Sequence, residues 1–164
     1  MRASVEDITI KTAHKDAKSL DLSKVRSIAR GLVGASTTVD KSHLRSIDAS
    51  FFGGDVFITA EGQNLSASQY RRNPTSDTTG ASRREAFVEV YTGKPKSTKN
   101  GFFWDGKHMI RQDGTRNIYQ KTYPSIAFLL GGARAPIMSA VAPMVEYQMV
   151  GKAFDELDKS LGGK

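Results

Sequence analysis

The stretch that decides the fold is STKNGFFWDGKHMIRQDGTRNIYQKTYPSIAFLLGGARAPIM, from Ser97 to Met138. Within it, GFFW and HMIRQ are two short apolar runs joined by Asp105-Gly106-Lys107. That junction predicts a tight hairpin, because glycine accepts a positive φ. On the first strand Phe102 and Trp104 share one face and Phe103 takes the other. Asp113-Gly114 breaks the chain again, and NIYQKTYP gives a further strand. Asp105 and Asp113 each precede a glycine, so they read as turn residues rather than an acid–base pair. After Pro124, SIAFLLGGARAP is a short apolar segment closed by two glycines.

Working outward, the C-terminal side predicts a long helix from about Ser139 to Leu161. Val141, Met144, Val145, Val150, Phe154, Leu157 and Leu161 mark its apolar positions. Pro143 must sit in the first turn of this helix or kink it. On the N-terminal side, AFVEVYTG is a strand, with Phe87, Glu89 and Tyr91 on one face and Val88 and Val90 on the other. GKPKSTKNG after it reads as a basic loop. Before it, residues 63–85 form a long polar loop or arm with two arginine pairs, and a connection of this length is usually functional or disordered. Asp55–Glu61 reads as a strand after a turn at Phe51–Gly54. Leu22, Val25, Ile28, Ala29, Leu32 and Val33 recur at helical spacing, with Asp21 as N-cap and a stop near Gly34. Thr38 or Asp40 would cap a second short helix with Val39, His43, Leu44 and Ile47 inside. Residues 1–20 contain an alternating stretch, Val5–Ile10, read as a short strand or an unformed arm. Together these predict one α+β domain over residues 1–164. Its small antiparallel sheet would carry N-terminal helices and a long C-terminal helix.

Composition narrows the function. The chain has 164 residues, 38% hydrophobic and 25% charged, enough for a modest core. A chain that buries less than usual can draw stability from neighbouring subunits. It has no cysteine, which excludes disulfides, zinc–thiolate sites and a cysteine nucleophile. No apolar run reaches transmembrane length, and the first residues lack the apolar core of a secretory signal. The net charge of +7 favours nucleic acid or an acidic protein surface as a neighbour.

Searches for chemistry end in plainer readings. His14, His43 and His108 have no metal-ligand spacing. GLVGASTT from Gly31 lacks the phosphate-loop lysine and follows a helix rather than a strand. No nucleophile has a signature context. No enzyme activity, metal or cofactor is therefore expected. Residues 22–47 resemble a helix-turn-helix in outline, with Lys41, His43 and Arg45 on its second helix, although Gly34 stands one place late for that motif. This gives an alternative reading as a small basic DNA-binding module. Arg71, Arg72, Arg83 and Arg84 bracket the polar loop, and Lys94, Lys96 and Lys99 lie on the next. They form either a solvated loop surface or a basic arm for a DNA backbone or an acidic neighbour.

The order of these parts resembles the tailed-phage minor tail protein Z family of tail completion or neck proteins. The match runs through Lys99, Gly101, Phe102 and Phe103, then His108, Ile110 and Arg111. It continues through Pro124 and Ile126, with Ser125 between them, and Gly132, Pro136 and Met138 before the last helix. It covers roughly residues 97–160 and extends more loosely to 22–45. GGARAP departs from the family's Gly-Pro-Ser-x-Pro run, and residues 63–85 have no counterpart. The resemblance implies a non-enzymatic virion protein, assembled in the host cytoplasm. It implies a ring, commonly six-fold, at the head-proximal end of the tail, joining tail-tube and neck proteins to the head connector. It implies no membrane, and genomic DNA in the channel as a possible non-specific contact. Phe102, Phe103, Trp104, Arg111, Pro124 and Pro136 become the candidate subunit contacts. The face of the hairpin turned from the core is covered by a helix of the same chain or by another subunit.

Overall fold

The computed structural model describes residues 4–11, 20–75, 77 and 86–161 of the chain. The architecture is α+β. Among the described residues nine strands form three antiparallel three-stranded sheets, with three α-helices.

The first sheet joins β1 (Ser4–Lys11), β2 (Ile47–Phe52) and β3 (Asp55–Gly62), with β3 central. Its register sets Ile8, Ile58 and Ala49 in one row and Ile10, Val56 and Phe51 in the next. Side chains alternate across a strand, so this face is apolar, and Asp48, Ser50 and Thr59 take the other. Helices α1 (Leu22–Ser36) and α2 (Ile126–Gly132) cover the apolar face. Val25, Ala29 and Val33 lie one above the next on α1 and are buried. The Asp21 carboxylate accepts the Lys24 N–H at 3.0 Å, as the sequence predicts for the cap. Ser125 does the same for α2, accepting the Phe128 N–H at 3.2 Å.

The second sheet holds β4 (Arg71–Asn73), β5 (Ala86–Tyr91) and β6 (Lys94–Thr98). The third holds β7 (Gly101–Trp104), β8 (Lys107–Arg111) and β9 (Ile118–Lys121). The last helix, α3 (Arg134–Ser160), follows α2 after a 71° bend and packs on α1, α2 and β1.

Of the two readings of Val5–Ile10 the strand holds: these residues lie in β1, and Ile8 and Ile10 are core residues. Several other expectations change. The second helix of residues 22–47 is a single 3-10 turn, His43–Ser46, after which Ile47 opens β2. Asp40 does not cap a helix. Its carboxylate takes the Ser42 N–H at 2.8 Å, a turn two residues long. The Arg30 guanidinium donates to the carbonyls of Arg45 and Ile47, at 2.8 and 2.7 Å, which ties this corner to α1. The basic loop is largely strand β6. The apolar segment after Pro124 is a helix, so α3 starts at Arg134 rather than Ser139. Pro136 falls in its first turn, where a missing N–H is harmless, and Pro143 lies in its interior. Part of the polar loop is ordered by a bridge between Leu65 and Tyr123 and by buried Ala67 and Tyr70, whose hydroxyl donates to the Pro124 carbonyl at 2.6 Å.

Candidate subunit-contact site

The β7–β8 hairpin forms where the sequence places it. Asp105 and Gly106 have φ of 49° and 68°, the paired positive values of a two-residue turn whose twist suits the strands. Its tip is held down by its neighbours. Gly106 N–H donates to the Asp77 carboxylate at 2.9 Å, and the Ser68 N–H donates to the Gly106 carbonyl at 3.2 Å. The first of these bonds does most to hold the Asp77 carboxyl below its ordinary value, with the Arg72 charge adding to it.

The two faces of the sheet differ. Inward, Phe103 and His108 are completely buried, and Ile110 nearly so. Phe103 is therefore a core residue and does not reach a neighbouring subunit. The His108 ring stacks on Tyr123 and its Nδ1 bonds the Tyr123 hydroxyl. Burial, with Lys121 adding, lowers the His108 pKa from 6.5 to about 4, so the ring is neutral at pH 7. Outward, the register groups Phe102, Trp104, Lys107, Met109, Arg111 and Ile118 on one face. Phe102 and Met109 are half-buried, while Trp104 and Ile118 are 59% and 46% exposed. Of the candidate contacts, Phe102, Trp104 and Arg111 thus come together. Pro124 and Pro136 instead bracket α2, at the entries to the two C-terminal helices.

The basic candidates divide as well. The Arg72 guanidinium lies 4.7 Å from the Phe103 ring centre and pairs with Asp77 at 3.1 Å, so it belongs to the packing. Arg71 pairs with Glu89 at 3.4 Å, and Glu89, itself buried, also accepts the Gly93 N–H at 2.6 Å. Lys94 and Lys96 are exposed on the β6 strand and Lys99 in the turn after it. Arg83 and Arg84 lie outside the described residues. Lys41 and Arg45 line an open groove of about 960 Å³ with Arg30 and Arg71. Among the described residues no three His, Asp or Glu side chains come together as a metal would need. No single helix there is long and apolar enough to cross a membrane.

The second exposed apolar surface is on α3. Ile137, Val141 and Val145 are buried, but Tyr147, Val150, Phe154, Leu157 and Leu161 are 54–81% exposed. The sequence places Val141 to Leu161 along one helix, but the apolar spacing read there passes over Tyr147. At roughly 100° per residue the buried and exposed sets lie on nearly opposite sides of the helix. The spacing of 3, 4, 3 and 4 residues carries that signal once the two sets are projected separately. No known protein family, curated protein or solved structure matches the chain.

Proposed function

We propose that this protein is a structural component of a tailed-phage virion. It would form a ring, commonly six-fold, at the head-proximal end of the tail, where it ends the tail tube and meets the head connector. The observation that carries the reading is the distal part of α3. Five large apolar side chains stand in solvent on the side of the helix opposite its core contacts. A surface of that kind marks an interaction site. The outer face of the β7–β9 sheet is a second such surface. The ordered resemblance over residues 97–160 supplies the place in the particle, and Lys94, Lys96 and Lys99 supply charge for phosphates in a channel. Electron microscopy of virions carrying a tagged copy tests the placement. Label at the junction of head and tail is the expected result, and label on the capsid or absent from particles overturns it.

The DNA-binding alternative now rests on Lys41 and Arg45 at the rim of the open groove, because residues 43–46 form a single turn rather than a recognition helix. It predicts sequence preference and loss of binding when these two residues are changed. The ring reading predicts neither.

A further inference from the structure

We propose that the distal end of α3, Tyr147–Leu161, docks on the outer face of the β7–β9 sheet of a second copy of this chain, head to tail. The inference deepens the ring reading and rests on it.

Three observations carry it. The first is direction. The exposed stripe points away from the side of α3 that carries Ile137, Val141 and Val145 into the core, so its own body does not cover it. A helix end of this length is marginal in water without tertiary support. Gly151 weakens it further, and a β-carbon there would meet nothing within 4 Å.

The second observation is charge. Residues 146–161 contain four acids, Glu146, Asp155, Glu156 and Asp158, and two lysines, for a net charge of −2. The whole chain carries +7, so the remainder carries +9. Projected round the helix, Glu146 and Asp158 flank the apolar stripe on its two sides. Lys107 and Arg111 stand among the apolar residues of the outer sheet face. In its own chain Lys107 pairs with the exposed Asp105 at 3.4 Å, a pairing worth little in water. Both charges flanking the stripe are acids, so two copies of the helix lying together would gain no pairing of opposite charges, which the sheet face does offer.

The third observation is geometry. The helix end and the sheet face are different surfaces, and α3 packs chiefly on α1, α2 and β1. A contact between unlike surfaces is heterologous, and it closes into a ring when the rotation allows. Each copy then makes the contact twice, once with its helix and once with its sheet. Removing one copy from a closed ring therefore breaks two contacts rather than one.

The test exchanges charges in the full chain. One variant carries Glu146→Lys and Asp158→Lys; the other carries Lys107→Glu and Arg111→Glu. All four side chains are on the surface, and circular dichroism checks that each variant folds. Light scattering should show that each variant alone needs at least about tenfold more protein to assemble than the parent chain. An equimolar mixture of the two should regain the parent's behaviour, because opposite charges face each other again wherever the two variants meet. If the parent forms a ring and both variants still form it unaided, this contact is wrong and the ring reading stands. If charge exchange restores association but no closed species forms, the contact is right and the ring reading fails. A parent chain that stays monomeric at every concentration overturns both.

Discussion

His108 shows how much one position constrains. Its ring lies between Phe103 and Tyr123 with no exposed surface, and a β-carbon at Gly101 would meet its Nε2 at 2.5 Å and the Thr98 carbonyl oxygen at 3.0 Å. Glycine at 101 is needed for this close approach, and Gly101→Ala should destabilise the fold by about 1–3 kcal/mol in denaturant unfolding. The histidine also sets an acid limb. Its pKa falls from 6.5 in the unfolded chain to about 4 in the fold, so the unfolded chain binds the proton more readily. Its contribution is therefore complete above pH 6.5 and declines as the pH falls to about 4, by up to ~3 kcal/mol. Stability measured across this window should show the slope in the parent chain and lose it in His108→Gln. The sequence places His108 on a strand next to the hairpin. It holds no sign that the ring is buried, because that depends on Tyr123 arriving from fifteen residues away.

At the scale of elements, what is legible follows period and punctuation. α1 has a capping aspartate and an unbroken helical spacing, and the β7–β8 hairpin has its Asp-Gly turn, so local chemistry is enough for both. β2 is hidden because Val39, His43, Leu44 and Ile47 mimic helical spacing. The strand is selected by β3 beside it and by Arg30 holding the carbonyls of Arg45 and Ile47. β6 looks like a loop because lysine, proline and serine fill it, and its structure comes from pairing with β5. As an edge strand it tolerates Pro95, and its lysines discourage further pairing. That placement separates the basic residues by role. Replacing Lys94, Lys96 and Lys99 with alanine should leave the melting temperature nearly unchanged and weaken binding to mixed-sequence DNA. It should also flatten the salt dependence of that binding by about one unit of log–log slope for each phosphate that is no longer neutralised. Arg72→Ala should instead lower stability, since its guanidinium packs on Phe103. Thermal melts paired with a filter-binding salt titration distinguish the two outcomes.

Across the described residues the core gathers on the β1–β3 sheet and its helices, while the outer β7–β9 face and the distal side of α3 stay exposed and apolar. The candidate contact face is half legible. Alternation along GFFW puts Phe102 and Trp104 on one side, but their grouping with Met109, Ile118, Lys107 and Arg111 needs the strand register. Contacts between copies leave no trace in the period of one strand. The central claim is that these leftover surfaces join copies of the chain into a ring. The most direct measurement is the mass of the purified protein by light scattering from low to high concentration. The account predicts growth from the 17.9 kDa chain to a closed species, about 107 kDa if six chains assemble. A monomer at every concentration would contradict it, and strong preference for one DNA sequence would then favour the DNA-binding module.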